Sequence, residues 1–521
     1  MGPMLARCSG AALVGLEAVE VAVEVDIAPG LPGLQIVGLA DAAVQESRER
    51  VRAALRNSGL RPPLTRVVVS LAPADLRKQG PAFDLPIALA VLAASGQLNP
   101  ALLEGIWCAG ELGLGGALRP VRGALSLALA AQRHGARALL LPAANGAEAA
   151  LVEGLPVWPA ARLQEALALL GHPPRGRAMQ PAAGGAEEGS PPAGSEGGRD
   201  LAEVQGQAHG RRALEIAATG QHHLLLVGPP GSGKTLLARC LPGLLPPLSP
   251  QEQLELTQLY SVAGLLPPAH GLIRQRPFRS PHHSCSAAAL AGGGSSLRPG
   301  ELTLAHRGVL FLDELAEFRR DVLNQLRQPL EQGELWLSRA RQRLRFPGAI
   351  TLVAATNPCP CGWAGDPDHP CRCGTAQRLR YWGRLAGPLL DRIDLQVVMR
   401  RPSASQLRPG LDRPTPAEES SGAVAQRIAA ARERMLQRNP GGLANGALSS
   451  HQLGQCGRLN AAALNLWQGA VEQRCLSARA AERLLRVART IADLDDRADV
   501  EASALAEALS YRSFDQPDQG L

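Results

Sequence analysis

The chain is short of lysine. Its 54 Lys and Arg residues include only two lysines, Lys78 and Lys234. A bias this strong substitutes arginine wherever either cation serves. A lysine that remains marks a place where a compact ammonium works and a planar guanidinium does not fit. Aromatic residues are also scarce, at 3%, although 45% hydrophobic content over 521 residues is ample for apolar cores in about two or three domains. Long apolar runs are missing. The uncharged stretch from Leu85 to Leu103 contains Ser95, Gly96, Gln97, Asn99 and Pro100, which predicts a short buried helix and a turn rather than a membrane span. The first residues, Met1 to Gly10, lack a charged segment followed by an apolar core, so no export signal is expected and the expected location is cytoplasmic. The 10 cysteines then predict thiols or metal ligands in a reducing compartment, not disulfides. A net charge of +7 leaves a polyanionic partner open, although arginine-rich composition alone accounts for such an excess.

What is present divides the chain. Residues 1–171 predict an α/β domain. Val19 to Ile27 alternates like a strand, Leu34 to Val37 predicts a second short strand, and Arg66 to Leu71 a buried one. Ala42 to Ser58 has helical periodicity, and Pro86 to Ala94 predicts an apolar helix. Residues 172–200 are rich in Pro, Gly, Ala, Ser and Glu, which predicts a flexible linker. Residues 201–400 predict a nucleotide-binding core and residues 401–422 a second polar linker. Residues 423–521, dense in Ala, Leu and Arg at helical spacing, predict a helical domain.

The most specific motif is Gly228, Pro229, Pro230, Gly231, Ser232, Gly233, Lys234, Thr235. It follows the apolar run Leu224 to Val227 and precedes a helix-like segment. Strand, glycine-rich loop and helix in that order form a phosphate cradle. Loop N–H groups and the helix N-terminus face the anion, Lys234 reaches the β- and γ-phosphates, and Thr235 can ligate Mg²⁺. A second strand, Val309 to Leu312, ends in Asp313 and Glu314. Asp313 would hold Mg²⁺ and Glu314 would orient the attacking water. A third strand, Ala349 to Ala355, ends in Thr356 and Asn357.

Two arginine-rich segments punctuate the core. Residues 271–300 carry Arg274, Arg276, Arg279, His282, His283 and Arg298. Residues 334–346 alternate in a way that predicts a hairpin turning near Ala340, with Arg339, Arg341 and Arg343 at its tip. These charges are either backbone-phosphate contacts that read no sequence or ordinary surface and interface charges. Residues 359–373 hold Cys359, Cys361, Cys371 and Cys373, with nine residues between the two C-x-C pairs. Four thiolates in one loop can surround Zn²⁺. Free thiols and disulfides are the other readings, and His369 is a further candidate ligand better explained as solvated.

The order of P-loop, Asp-Glu strand and Asn-terminated strand resembles the AAA+ arrangement, in which Asn357 takes the sensor position. Pro388 to Leu395 resembles the arginine-finger segment, with Arg392 reaching a neighbouring subunit's nucleotide. Ser477 to Ala480 resembles the second sensor, with Arg479 as its arginine; a solvated helix charge is the plain alternative. Nearly the whole chain resembles the ComM/YifB group of bacterial magnesium-chelatase-like AAA+ ATPases. The resemblance is carried by Gly30 to Gly33, Phe83 to Pro86, Phe278 to Ser284, Gly308 to Glu314, Asn357 to Gly362 and Val487 to Asp493. It implies a ribosomal-S5/Lon-protease-like first domain, a P-loop AAA+ parallel-sheet module and an all-helical C-terminal lid. It also implies ATP and Mg²⁺ as ligands, a hexameric homo-oligomeric ring, and movement on DNA of the branch-migration kind associated with natural transformation. The 271–300 insert and the hairpin would both face the ring's channel. The competing reading is the motor subunit of a magnesium chelatase. A protease reading with Ser70 and Lys78 fails because Ser70 lies inside an apolar strand with no glycine-flanked turn to expose it.

Overall fold

The computed structural model describes residues 5–174, 198–267, 271–294, 298–339, 342–385, 389–402 and 418–514. Most of the two expected linkers, 172–200 and 401–422, lies outside the described residues. The chain divides into two compact units, residues 1–193 with 249–274, and residues 194–248 with 275–521.

The first unit is built on a seven-stranded mixed sheet in the order Gly33–Val37, Arg66–Ala72, Glu17–Ala28, Leu5–Val14, Ile106–Cys108, Ala138–Pro142 and Val157–Ala160. The expected strands and helices of this region are all found. The strand Leu5–Val14 is an addition. Its small and mixed residues hide any alternation, yet it pairs antiparallel with Glu17–Ala28 along its whole length, from Leu5 opposite Asp26 to Val14 opposite Glu17. Ser70 lies in mid-sheet between Glu24 and Val37. Lys78 is fully buried and its ammonium donates to the Pro73 carbonyl. The helix Asp84–Ala94 is buried on every side. Its Asp84 accepts from Ser47, from Arg50 Nε at 2.7 Å and from the Leu112 N–H at 3.1 Å, so the buried charge is fully paired.

The helix Pro250–Ala263 falls within the expected nucleotide-binding core in sequence but belongs to the first unit. It begins with a Ser249–Glu252 capping box. Leu254 packs into that unit's apolar core, and Gln258 Nε2 donates to the Leu16 carbonyl at 2.8 Å. These contacts outweigh its position in the sequence.

The second unit carries a five-stranded, all-parallel sheet in the order Phe278–Arg279, Val309–Leu312, Thr351–Thr356, Leu224–Val227 and Leu395–Val398. The three central strands are uninterrupted apolar runs buried along their length, as parallel strands covered on both faces must be. The described part of residues 423–521 is helical, as its composition predicts, and Val424, Ile428, Leu484, Val487 and Ile491 share one apolar core with Leu224, Leu226, Leu237 and Leu241 of the sheet and its first helix.

A buried polar network pins those helices. Arg489, with no exposed surface, donates to Asp493 Oδ1 at 2.9 Å and to the Ala498 and Arg497 carbonyls at 2.7 and 2.6 Å. Asp493 also accepts from Arg438 and from Asn445 Nδ2 at 2.8 Å. Thr490 Oγ1 lies 2.8 Å from His222 Nε2, just before the P-loop strand. Among the described residues no helix is long and apolar enough to cross a membrane. Asp493→Ala leaves the buried Arg489 and the half-buried Arg438 without their carboxylate. It is expected to cost about 3–5 kcal/mol of stability, read as an earlier urea midpoint by far-ultraviolet circular dichroism.

Candidate nucleotide-binding site

The five strands run the same way, so their C-terminal ends open on one edge, where ligands of open parallel sheets bind. The Leu224–Val227 strand ends there in Gly228. A Cβ at this position would meet the Met399 carbonyl at 2.6 Å, so only glycine lets the loop leave the sheet so closely. Gly231 and Gly233 hold left-handed backbone, at φ +76° and +86°, with open space where a Cβ would stand. Left-handed backbone at these positions is what a loop needs to turn N–H groups toward an anion in the hollow before the helix Lys234–Leu244.

The side chains meet over that hollow. Lys234 Nζ donates to the Gly228 and Pro229 carbonyls at 2.7 and 2.9 Å, and lies 3.3 Å from Asn357 Oδ1. Burial lowers its pKa and the Asp313 charge opposes that shift. Thr235 Oγ1 donates to Asp313 Oδ2 at 2.9 Å. Ser232 Oγ is buried without a partner. Together these features fit a phosphate chain with its divalent cation: open glycines, an orphaned hydroxyl, an ammonium resting on carbonyls, and a hydroxyl–carboxylate pair of the kind that holds Mg²⁺. Asp313, Glu314 and Asn357 end adjacent strands, in register with the P-loop strand.

Glu314 has a left-handed backbone at φ 52°, strained for a non-glycine residue. The turn throws its carboxylate outward, where Oε2 lies 3.0 Å from His283 Nδ1. His283, expected on a DNA-facing insert, therefore stands at the carboxylate expected to orient water. The His282 ring lies tilted against it at 4.1 Å between ring centroids, with its own Nδ1 2.8 Å from Ser284 Oγ. Only the paired histidines of the insert hint at a role in sequence, and nothing in their spacing links them to Glu314.

Other expected residues lie elsewhere. Arg279, expected to contact DNA, is gripped on two sides by Glu301, at 2.7 and 2.8 Å. A phosphate would have to displace that bidentate pair. Arg392 is nearly buried, with Nη2 2.5 Å from Glu331 Oε1, and Arg479 Nη1 reaches the same oxygen at 3.6 Å. Both arginines lie at the N-terminal ends of the strands, the edge opposite Gly228. There the Asp394 and Leu395 N–H groups bond to the His223 carbonyl that leads into the P-loop strand. The four residues of that strand separate the two edges by about 13 Å. Glu331, in no motif, escapes sequence reasoning.

Glu334–Arg339 and Gln342–Pro347 pair antiparallel as the expected hairpin strands, and the turn expected near Ala340 lies outside the described residues. Leu335 and Phe346 face inward, while Trp336 and Arg343 are exposed on the other face with the guanidinium 4.4 Å from the ring centre. The side chains of Arg339 and Arg341 lie outside the described residues.

The thiols of Cys359, Cys361, Cys371 and Cys373 lie within 4.8 Å of one another. They are the side chains in the described residues best placed to hold a soft metal. Burial pushes the Cys359 thiol up to about 12. Burial also acts to raise Cys361, but the Arg372 and Trp363 backbone N–H groups and the neighbouring thiols bring it down to about 6. His369 turns away from the thiols: it stacks on Trp363 and lies 3.3 Å from Asp366.

Strand order and cradle define a P-loop module of the AAA+ type. Three family models cover most of the chain: magnesium chelatase, subunit ChlI, over residues 200–407; subunit ChlI of Mg-chelatase over 23–145; and the ChlI C-terminal model over 418–512. The chain is 45% identical to an uncharacterized protein of Mycobacterium tuberculosis, with 98% of each chain covered. It is 43% identical to the uncharacterized protein YifB of Escherichia coli, covering 97% of this chain and 96% of that one. It is 41% identical to competence protein ComM of Haemophilus influenzae, covering 96% of each. The chain belongs to the ComM/YifB family of magnesium-chelatase-like proteins.

Two outcomes test the site. Glu314→Gln is expected to keep ATP binding and lose turnover, whereas Lys234→Ala loses both, read by fluorescent-nucleotide titration beside phosphate release. His283→Ala is expected to lower kcat by about tenfold to a hundredfold through a misplaced Glu314. Nucleotide affinity should be kept and the His283→Gln variant should partly restore the rate; an unchanged kcat would remove His283 from the site.

Proposed function

We propose that the protein is an ATPase that couples hydrolysis to movement along DNA, working in the cytoplasm as a hexameric ring of identical chains on branched recombination intermediates. The observation that carries the reading is the bonded set Thr235–Asp313 and Lys234–Asn357 beside an outward Glu314. Loop N–H groups and Lys234 take the phosphates of ATP. Thr235 and Asp313 would hold Mg²⁺, which when bound would supply charge neutralisation at the phosphates. Glu314, oriented by His283, accepts a proton from the attacking water. Asn357 joins the γ-phosphate end of the site to the sensor strand.

Arg392 and Arg479 serve a neighbour in this reading, because both lie about a strand's length from their own cradle. Release from Glu331 would free them for an adjoining subunit's phosphates. Mixed rings of Arg392→Ala and Lys234→Ala chains then contain interfaces with one intact cradle facing one intact arginine. They are expected to regain hydrolysis that neither variant shows alone, measured by phosphate release after subunit exchange; no recovery in well-mixed rings counts against action in trans.

The DNA part of the reading draws on the relative's name as a competence protein and on the exposed Arg343–Trp336 face of the hairpin. Single-stranded and forked DNA are expected to stimulate hydrolysis. Alanine at Arg339, Arg341 and Arg343 together should weaken DNA binding regardless of sequence and reduce the salt slope by about 0.7–0.9 for each phosphate that is no longer neutralised. ATP binding should be untouched. Absence of DNA affinity in the parent protein at low salt would transfer the proposal to a chelatase-type motor.

A further inference from the structure

The cysteine loop starts immediately after the sensor residue Asn357 and is built against the phosphate loop. Gly362 has left-handed backbone at φ +85°, and a Cβ on it would meet Pro230 Cδ at 2.8 Å. Backbone of the cysteine loop therefore touches the crown of the cradle. The other side of the loop is anchored too. Trp382 Nε1 donates to the Pro358 carbonyl at 3.0 Å, and Tyr381 Oη lies 3.1 Å from Thr356 Oγ1. Both aromatic residues belong to the helix Thr375–Leu385 that follows the last cysteine. The loop is thus held between the end of the sensor strand, the following helix and the P-loop.

Its thiols have the spacing of a closed tetrahedral site. A metal–sulfur bond of about 2.3 Å places tetrahedral sulfurs about 3.8 Å apart. The Cys359–Cys371 and Cys361–Cys371 separations are 3.7 and 3.6 Å, and Cys359–Cys361 is 3.3 Å. Two sulfurs already accept backbone N–H groups, Ala364 to Cys359 at 3.3 Å and Cys373 to Cys371 at 3.4 Å. These are the outer contacts that orient thiolate ligands. Four sulfurs and no oxygen or nitrogen select zinc or iron, and a closed set with no position for substrate is structural rather than catalytic.

We propose that Cys359, Cys361, Cys371 and Cys373 bind one structural Zn²⁺ ion, and that the metal stiffens the loop into a strut whose Gly362 end sets the position of Pro230 and with it the phosphate cradle. Nucleotide affinity then depends on the metal. Binding of Zn²⁺ to the four thiols releases their protons and changes no oxidation state. Without the ion nothing ties the four thiols together, and the Gly362 end bears less firmly on Pro230. Coupling of two sites is reciprocal, so nucleotide in the cradle retains the zinc. The strut rests on the nucleotide-binding reading above; the zinc site does not.

The experiment uses the full chain purified without chelators. Metal analysis should give one zinc and no iron per chain, and the untreated protein should bind a fluorescent ATP analogue. Stoichiometric mercurial in the presence of a colorimetric zinc indicator should release the ion and weaken the analogue about tenfold. Thiol and zinc together should restore it. Saturating nucleotide should slow zinc release by a similar factor. Gly362→Ala keeps every thiol, so it should retain its zinc yet bind nucleotide more weakly, which separates the strut from mere unfolding. Four freely titrating thiols with no metal, or iron in place of zinc, would overturn the site. Full-strength nucleotide binding by zinc-free protein, or by zinc-loaded Gly362→Ala, would overturn the strut. Zinc-loaded parent protein that binds no nucleotide would overturn the ATPase reading and the strut together while leaving the metal site standing.

Discussion

The second unit depends on one buried carboxylate. Asp394 lies at the N-terminal edge of the sheet with 4% of its surface exposed. Its oxygens accept from Arg483 Nη1 at 2.8 Å and from the His223 N–H at 3.0 Å, with His222 Nδ1 at 3.5 Å. Burial alone would raise its pKa; the Arg483 guanidinium and the two histidines instead hold it far below the ordinary carboxylate range. One charge thereby joins the edge strand, the P-loop strand and the helix Ala478–Leu494. A buried ion pair of this kind adds little net stability over an apolar replacement, but it fixes which elements meet and in what register.

That constraint determines what can reach the nucleotide. Asp394 stands two residues after Arg392, and Arg483 stands one helical turn after Arg479, so the same pair that closes the sheet edge brings both arginines to Glu331. They are held at the wrong end of a parallel strand to touch their own cradle. Strand direction sets this separation: parallel strands put all carboxyl-terminal loops on one edge and all amino-terminal loops on the other. In the proposed assembly a head-to-tail interface would bring the two edges together, and it forms a ring only where the rotation between subunits closes.

The legible parts of this protein are those encoded locally. The cradle needs three glycines, a lysine and a threonine at consecutive or near-consecutive positions, and the three apolar runs ending in Gly228, Asp313 and Asn357 state their own burial. The four cysteines advertise their clustering by spacing. What stays hidden depends on contacts between distant positions. Leu5–Val14 is a strand because Glu17–Ala28 covers it, not because its residues alternate. Helix Pro250–Ala263 sits between two segments of the nucleotide-binding unit in sequence, yet its Leu254 belongs to another core. Arg279 reads as an available cation, but Glu301, 22 positions away, fills both sides of its fork. His283 reads as part of a basic insert, but its ring nitrogen faces Glu314.

The scarcity of lysine acquires a physical meaning from the two that remain. Lys234 presents separate N–H bonds to the Gly228 and Pro229 carbonyls and faces Asn357, three directions converging on one nitrogen. A guanidinium spreads its donors in a plane and could not satisfy that arrangement from one point. Lys78 is fully enclosed and donates to Pro73, five residues back in its own turn, while its backbone bonds to Leu39 and Asp41. One ammonium sits in the phosphate-loop motif and the other inside a turn, so the surviving lysines share compact surroundings rather than a function. In a chain biased this far toward arginine, a lysine therefore reports the shape of its surroundings, and the chemistry has to be read from what its ammonium touches.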